Sequence, residues 1–376
     1  MAGHEVEIDW RGRRVTAWVP DPLAGRDVTL SETTVRRTEQ AAAAGRRVTD
    51  RLPVGWEPLA RLLLRAEGVA SSYIEGVRAP LPDVAVAEID PEVGETAEWI
   101  ANNLAVVADA IAGSGEPMSV ALLHRWHARL MHGPHQWLPA EMVGQFRPVQ
   151  GWIGGTSPLD AAVVTPPPEL VPGLMDDLVA YLNRDDIDSV TQAAVAHAQF
   201  ECIHPYGDGN GRIGRVLVGW LLVRRLALDV PPPISVPIAI DRGAYLAGLT
   251  QYRLGEPDPW VRWFAEVITT ASEATLRLFE QVLELIEAWK ARLADVRADS
   301  AAHRIVELLP QHPVLSAATI AKQIDVSERA ARSALATLAE RDIITPFTSA
   351  HSVPGRPRHW WIAPQLLATV TRWSGT

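Results

Sequence analysis

A twelve-residue stretch near the middle of the chain concentrates side chains that could do chemistry. From His204 to Arg215 it reads HPYGDGNGRIGR, which places an imidazole, a carboxylate, an amide and two guanidinium groups around a glycine-rich loop. An imidazole has a pKa near ~6.5, so His204 could accept a proton from a hydroxyl nucleophile near neutral pH. Asp208 is the only carboxylate of the stretch, and Mg²⁺ usually takes one or two carboxylates together with phosphate oxygens. We therefore expect His204 to be a general base and Asp208 to be a metal ligand.

The glycines and arginines of the same stretch favour an anion-binding loop. Gly207, Gly209 and Gly211 allow main-chain amides to approach a ligand closely. The free N–H groups and dipole of the helix that follows add positive charge at the same place, as phosphate sites require. Arg212 and Arg215 are three residues apart, so they share a helix face and could neutralise further phosphate oxygens. The alternative is a tight turn between helices with charges facing solvent.

Two helices must position this loop. The first is expected to begin at Thr191 with a hydroxyl cap and to end before His204-Pro205. The second is expected to restart at about Asn210 and to pack an apolar stripe inward. That stripe contains Ile213, Leu217, Trp220 and Leu221.

The flanking sequence predicts mostly helices with a few small hairpins. Alternating residues around Arg11-Gly12 predict a two-stranded hairpin, and helical spacing follows over residues 31–111, 120–130 and 170–182. The stretch between the last two, QFRPVQGWIGGTSPLDAAVVTPPP, predicts a short hairpin or flap. A long helix is expected from Trp260 to about Arg297, without an internal repeat.

The stretch from His204 to Arg215 resembles the signature of the Fic family, HPFxDGNGRxGR with Glu as an alternative to Asp, and differs by having Tyr206 in place of phenylalanine. The resemblance extends from about Leu52 to Trp263. It implies that His204 deprotonates a target Ser, Thr or Tyr, which attacks the α-phosphate of ATP, and that Asp208 binds Mg²⁺. It also implies that Asn210 lies near the α-phosphate, Arg212 near the outer phosphates and Arg215 at the γ-phosphate, with the loop amides at Gly207, Gly209 and Gly211 holding oxyanions.

An upstream segment, SSYIEG from Ser71 to Gly76, resembles the inhibitory motif of the same family: Ser or Thr, three residues, Glu, then Gly or Asn. The resemblance implies that Glu75 pairs with Arg215 and keeps the γ-phosphate from being held productively. A guanidinium can hold a carboxylate or a phosphate in the same bidentate way, but not both at once. The alternative is a surface glutamate that ends a helix before Gly76.

Three further features of the sequence bear on this site. Trp152, Ile153 and Gly154 resemble the flap strand that holds a target segment by backbone pairing in relatives, and packing of a structural hairpin is the alternative. His197 lies two helical turns before His204 and is interpreted as a core residue. Cys202 is interpreted as a buried, inert thiol.

The C-terminal residues from about 301 to 376 resemble a winged helix-turn-helix. Two helices are expected to meet at Asp325–Ser327, followed by a β-rich tail ending in PRHWWIAP, with Arg329 and Arg332 on the second helix. This segment holds 8 Lys and Arg against 5 Asp and Glu, whereas residues 1–300 hold 27 against 40. Its net charge of +3 is modest for DNA binding, so DNA and protein contacts both stay open.

Composition indicates an ordinary globular protein. At 376 residues with 47% hydrophobic residues the chain can bury a sizeable core, and no run has the ~20 apolar residues that a membrane helix needs. The N-terminus lacks a positive segment leading into an apolar one, so we expect a cytoplasmic protein. One cysteine excludes an internal disulfide framework, and the net charge of −10 argues against a protein coated by nucleic acid.

Together these patterns predict a mostly α fold: a Fic helical core with a small β-hairpin flap and a C-terminal winged-helix domain. The expected division is 1–115 with the inhibitory motif, 116–270 as the core, 271–300 as a helical connector and 301–376 as the winged helix. The expected reaction is AMP transfer from ATP to a protein hydroxyl, with no membrane partner. Removal of AMP from a modified protein, with Glu75 activating water, and a nucleotide-sensing DNA-binding regulator are the alternatives, and a homodimer is left open.

Overall fold

The computed structural model describes residues 3–52, 55–90, 94–133, 138–348 and 360–374. These residues are mostly helical with three small antiparallel sheets, as predicted. The elements of the first half are β1 (Gly3–Trp10), β2 (Arg13–Pro20), α1 (Glu32–Asp50), α2 (Glu57–Ile74), α3 (Leu81–Ala87), α4 (Glu95–Ala112), α5 (Val120–Leu130), β3 (Trp152–Ile153), β4 (Val163–Val164), α6 (Val171–Leu182) and α7 (Ser189–Ile203). Those of the second half are α8 (Asn210–Leu226), α9 (Ser235–Ile240), α10 (Arg242–Arg253), α11 (Pro257–Arg292), α12 (Ala301–Leu308), β5 (Val314–Leu315), α13 (Ala317–Gln323), α14 (Glu328–Glu340), β6 (Thr345–Phe347), β7 (Trp360–Ile362) and α15 (Pro364–Ser374).

The chain forms two compact units, and each combines two separate stretches of sequence. The first unit is Met1–Asp50 with Ala105–Ser272, and the second is Arg51–Leu104 with Glu273–Thr376. The crossings at 104/105 and 272/273 fall inside α4 and α11. The predicted boundaries at 115, 270 and 300 divide the sequence into consecutive segments, whereas each compact unit contains residues from more than one of those segments. The predicted division therefore stays a prediction.

The first unit is built around α7, which is buried along its whole length. Helix α7 packs against α8, α6 and α1. The hairpin β1–β2 pairs Gly3 with Pro20 through Trp10 with Arg13, around a turn with positive φ at Arg11 and Gly12, as the sequence predicted. Helices α5 and α6 also match their predicted bounds to within one residue, and α8 starts at Asn210 as predicted.

The second unit joins α2 and α3 to the C-terminal segment. Helix α15 packs on α2 and α3, and α3 packs on β5. A small apolar core brings Val86 of α3 together with Val314 of β5 and Trp360 of β7. Arg65 of α2 is buried and donates to Glu88 at 2.5 and 3.0 Å and to the carbonyl oxygen of Gln311 at 3.2 Å. Residues far apart in sequence therefore share one core.

The C-terminal segment contains the elements expected of a helix-turn-helix with a sheet. Helix α14 follows α13 after a four-residue turn, and the Ser327 side chain caps it by accepting from the Ala330 N–H at 3.2 Å. Strands β5, β7 and β6 form a three-stranded sheet in that order. The Pro357–His359 part of the predicted tail lies outside the described residues. The winged-helix assignment stays a prediction.

The boundaries of two helices differ from expectation. Helix α7 starts at Ser189 rather than Thr191, because the Asp188 side chain caps it by accepting from the Thr191 N–H at 2.8 Å. Helix α11 ends at Arg292, so the segment to Arg297 is not helical. Helix α15 was not expected at all. None of the helices in the described residues combines the length and apolarity needed to cross a bilayer.

Candidate functional site

The signature residues form the connection between α7 and α8 in the first unit. Helix α7 ends at Ile203 and is capped by His204, which has left-handed backbone angles of φ 51° and ψ 61° and donates its N–H to the Phe200 carbonyl at 2.9 Å. Few non-glycine residues adopt this conformation, and those that do are often at functional sites. The reversal ends the helix and turns the chain away immediately before the glycine-rich loop.

Asn210 closes the loop on itself. Its side-chain Oδ1 accepts from the Tyr206 N–H, and its Nδ2 donates to the Tyr206 carbonyl, both at 2.9 Å. Asn210 is also the first residue of α8, as predicted. Both polar atoms of this amide therefore hold the loop, and its expected place near an α-phosphate stays a prediction.

The three glycines of the loop occupy different structural environments. Gly209 alone among them has a positive φ, at 77°, and directly precedes α8. A Cβ at Gly207 would lie 2.7 Å from both Leu138 Cδ1 and Met142 Cε, so a side chain there would require the ends of these two side chains to move. Gly211 lies inside α8 and is buried. The conformational argument from sequence therefore holds for Gly209 only.

His127 of α5 is a site residue that sequence reasoning missed. Its Nδ1 accepts from the Gly144 N–H at 2.9 Å, so its Nε2 carries the proton and donates to the Asp208 carbonyl at 3.1 Å. The ring stacks on Tyr206 with centroids 3.9 Å apart. The only sequence signal was an imidazole on the buried face of a predicted helix, between Trp126 and Leu130.

Burial of His127 makes the stability of the unit sensitive to acid. Burial lowers the pKa of His127 to about 4, with Arg212 and His124 adding to the shift and Asp208 opposing it. The neutral ring is thus favoured in the folded state, and its stabilisation is complete above pH ~6.5 and lost as the pH falls towards 4. We expect His127→Gln to lessen the fall in unfolding free energy between pH 6.5 and 4, measured by urea unfolding. An unchanged slope would contradict this assignment.

Arg212 and Arg215 are both buried in the first turns of α8, at 4% and 2% exposure. Arg212 Nη2 lies 3.4 Å from Asp208 Oδ2, and the Asp208 side chain keeps 31% exposure. The other face of α8 carries the predicted apolar stripe, which is buried. Two buried cations therefore lie in the first turns of α8, and one of them, Arg212, is close to an accessible carboxylate.

The oxygen donor at Asp208 suits a hard cation such as Mg²⁺. The described residues hold no group of three or more His, Cys, Asp or Glu that could form an all-protein metal cage. A magnesium ion does not need one, because it is commonly held by one carboxylate, waters and phosphate oxygens. The donor set therefore fits a metal that arrives with a phosphate ligand.

The predicted flap is a short hairpin in the same unit. Trp152 pairs with Val164 and Ile153 with Val163, and Gly154 has a positive φ of 71° where the strand turns. The other edge of β3 has no strand partner among the described residues. The Trp152 ring also meets Trp10 of β1 edge-on at 5.8 Å, so the N-terminal hairpin supports the flap.

The segment Ser71–Gly76 ends α2 in the second unit. Ser71 is buried, whereas Glu75 caps the helix and is exposed, and Gly76 follows with a φ of 81°. The Ser72 hydroxyl donates to the Gly68 carbonyl at 2.9 Å, and Asn103 Nδ2 donates to the same oxygen at 3.0 Å. These contacts fix the helix end that presents Glu75.

Two residues excluded from the site are core residues. His197 is fully buried, its Nε2 lies 3.0 Å from the Tyr245 hydroxyl, and burial lowers its pKa to about 3. Burial raises the pKa of Cys202 to about 12, so its thiol stays protonated at neutral pH. Neither group is available as an acid, base or nucleophile near neutral pH.

Gly214 allows α7 and α8 to pack closely behind the loop. A Cβ at Gly214 would lie 2.6 Å from Glu201 Oε1 and 3.0 Å from His197 Nδ1. We expect Gly214→Ala to destabilise the protein by roughly 1–3 kcal/mol through overpacking. The matched control is Gly219→Ala on the same helix, where a Cβ would meet only Pro231 at 3.7 Å; it should be neutral or stabilising by up to ~1 kcal/mol. Urea unfolding of both variants checks the difference, and equal effects would refute the packing argument.

Comparison with known proteins agrees with this geometry. The Fic/DOC family model matches residues 117–222, which include α5, the flap and the loop. Protein adenylyltransferase fic-1 of Caenorhabditis elegans is 32% identical over 139 residues, or 36% of this chain and 24% of that protein. A probable protein adenylyltransferase of Aquifex aeolicus is 46% identical over 66 residues, 17% of this chain and 21% of that protein. The chain thus spans about a quarter of the length of these relatives.

The solved structures extend the similarity in fold. A Fic family protein from Desulfovibrio desulfuricans superimposes with a TM-score of 0.55 at 21% identity, covering 89% of this chain and 97% of that one. Residues 134–508 of Fic-1 from C. elegans give a TM-score of 0.53 at 18% identity, covering 66% and 73%. At these identities the likeness concerns the fold alone. Residues 117–222 of this chain are thus similar to the Fic/DOC family in sequence, and the solved structures show that the fold is similar as well.

Proposed function

We propose that the protein is an adenylyltransferase that transfers AMP from ATP to a Ser, Thr or Tyr hydroxyl of a protein, and that Glu75 restrains this activity. The observation that carries the proposal is the loop from His204 to Arg215, which brings an imidazole, an accessible carboxylate and two buried guanidinium groups to the start of one helix. The similarity to a protein adenylyltransferase of C. elegans and a probable one of A. aeolicus supports the same activity.

The reaction assigns each group a role. The target hydroxyl oxygen attacks the α-phosphorus, the bond from that phosphorus to the bridging oxygen breaks, and pyrophosphate leaves. His204 accepts the hydroxyl proton. Arg212 and Arg215 bind the outer phosphates, where fixed cations stabilise charge without reorganisation. Asp208 would hold Mg²⁺, which neutralises phosphate charge when bound.

The flap would bind the segment of the target that carries the hydroxyl. Strand β3 has an edge without a strand partner among the described residues, and an extended peptide can pair with such an edge through its main chain. Main-chain hydrogen bonds form with almost any peptide sequence. Such pairing would therefore place the hydroxyl-bearing residue of the target without selecting for the residues around it. Specificity for the target would then come from other surfaces.

The inhibitory role of Glu75 is supported by the SSYIEG sequence and by the ordered helix end that carries it. A carboxylate competing with the γ-phosphate for Arg215 would lower productive ATP binding without blocking the base. The same carboxylate could instead activate a water, which would favour removal of AMP from a modified protein. We expect the transferase to predominate once Glu75 is replaced.

The test is to incubate the purified protein and its Glu75→Gly variant with ATP and Mg²⁺ and to measure added AMP by intact mass. We expect self-modification chiefly on Glu75→Gly, with Glu57→Gly, at the other end of α2, as the matched control that stays at the parent level. If ATP binds but neither protein gains AMP, transfer is refuted as the reaction. Release of AMP from an adenylylated substrate would then identify the reverse activity.

A further inference from the structure

Arg147 is a buried cation that the proposed chemistry does not use. It is the arginine of the QFR sequence that precedes the flap hairpin, and its side chain is 2% exposed. All three guanidinium nitrogens donate hydrogen bonds, and every acceptor is a neutral oxygen. Burial lowers its pKa only to about 10, so it stays charged at neutral pH. A buried arginine that binds main-chain oxygens holds segments of backbone together.

The acceptors belong to two separate segments of the site. Nη1 donates to the Val149 carbonyl at 2.8 Å, and Nη2 donates to Thr165 Oγ1 at 3.0 Å and the Pro166 carbonyl at 2.6 Å, on either side of the flap hairpin. Nε donates to the His204 carbonyl at 2.8 Å, and Nη2 also reaches the Ile203 carbonyl at 3.4 Å. One guanidinium thus joins the base of the flap to the end of α7.

The main chain adds a further tie. The Arg147 N–H donates to the Pro205 carbonyl at 2.9 Å, so two consecutive carbonyls of the signature, at His204 and Pro205, are held by the same residue. His204 has left-handed backbone angles, which side-chain-bearing residues keep only when their surroundings hold them. Arg147 therefore fixes the peptide plane that sets the direction of the imidazole.

Gly151 leaves room for this arrangement. A Cβ there would lie 2.8 Å from Arg147 Nε and 2.7 Å from Thr165 Oγ1. The Gly151 carbonyl also accepts from the Thr165 N–H at 3.2 Å, which closes the base of the flap. The glycine and the guanidinium fit together as one packed unit.

We propose that Arg147 is a positioning residue that couples the flap to His204. The position of a target docked on β3 and the orientation of the His204 imidazole then depend on the same contacts. The proposal deepens the proposed function and rests on it for its catalytic consequence. The coupling itself rests on the contacts of Arg147 alone.

The test uses Arg147→Lys in the full chain carrying Glu75→Gly, because a lysine keeps the charge but presents a single donor atom and cannot reach both segments. We expect hydrogen exchange, read by mass spectrometry, to rise at least tenfold for peptides covering 148–166 and 203–209 and to stay unchanged elsewhere. Self-modification at saturating ATP should fall at least tenfold, while the Kd for ATP with Mg²⁺ changes less than threefold. Arg147→Met repeats the test without the charge, if it folds.

The matched control is Arg225→Lys in the same unit. Arg225 is partly buried and, like Arg147, donates to main-chain carbonyls. Its acceptors are the carbonyls of Arg184 and Asp185 at 2.8 Å and of Ile187 at 3.0 Å, which are far from the flap in sequence. It should leave exchange at 148–166 and the transfer rate at the parent level. If both lysine variants loosen the flap equally, the effect is general destabilisation and the coupling is refuted.

The outcomes separate this proposal from the proposed function. Flap and loop exchange that rise together in Arg147→Lys support the coupling even if the parent shows no transfer, a result that would refute only the proposed function. Active transfer with unchanged exchange and rate in Arg147→Lys overturns the coupling and leaves the function standing. A loss of ATP affinity as large as the loss of transfer also overturns it, since Arg147 would then hold the nucleotide loop.

Discussion

Replacing His204 by asparagine in the Glu75→Gly protein is expected to lower the rate of AMP transfer by about 10²–10⁴-fold, the usual contribution of a general base. Asparagine is chosen because it tolerates the left-handed backbone angles that His204 has at the end of α7, whereas alanine would add backbone strain to the loss of the base. The measurement is the initial rate of AMP incorporation at saturating ATP.

Two further measurements distinguish loss of the general base from loss of ATP binding or of folding. The Kd for ATP with Mg²⁺ should stay close to that of the parent, because His204 does not belong to the phosphate-binding set. The midpoint of thermal unfolding should also be retained. A variant that folds, binds ATP and still transfers AMP within tenfold of the parent would remove His204 as the base.

Glu88→Ala is expected to lower the free energy of unfolding of the second unit by about 3 kcal/mol. Arg65 is 2% exposed and pairs with Glu88 through two hydrogen bonds, so removing the carboxylate leaves a buried cation without its anion. Breaking such a pair from one side typically costs ~3–5 kcal/mol, and the 14% exposure of the Glu88 side chain favours the lower end. Urea unfolding followed by far-UV circular dichroism provides the measurement.

The matched control is the ion pair of Glu328 and Arg332 on α14. Its atoms lie 2.7 Å apart, but the side chains are 54% and 66% exposed, so Glu328→Ala should cost at most ~1 kcal/mol. The double variant Arg65→Met, Glu88→Leu should recover most of the loss, because it removes the unpaired cation. Equal effects of Glu88→Ala and Glu328→Ala would show that burial of the Arg65 pair has no energetic role.

Much of the first unit could be predicted from the sequence, because its helix starts, apolar stripes and tight turns depend on residues that are close together in the chain. The apolar stripe of α8, its start at Asn210 and the turn at Arg11-Gly12 follow from residues within a few positions of each other. The start of α7 was missed by two residues, because a carboxylate at Asp188 took the capping role expected of a hydroxyl at Thr191. The resemblance of the signature located the chemical groups but not what holds them.

The supporting residues were missed because their contacts join distant parts of the chain. His127 meets the Asp208 carbonyl across 81 positions, and Arg147 meets that of His204 across 57. A periodicity or a motif cannot reveal such pairs, because the amino-acid type of one residue does not indicate which distant residue it contacts. The contacts of α2, through Arg65, and of α3, through the apolar core, with the C-terminal segment could not be predicted from the sequence for the same reason.

The two discontinuous units also set an order for folding during synthesis. All residues of the first unit have been made once Ser272 is added, whereas the second unit needs residues up to α15, about a hundred positions later. At ~5–20 residues per second, the apolar face of α2 waits roughly 15–60 s for the helix that packs on it, because about 290 residues separate the two helices. The unit that contains Glu75 is therefore the last to be completed, although Glu75 itself is synthesised early. A ribosome stalled between the two points would carry every residue of the first unit while the second unit is still incomplete.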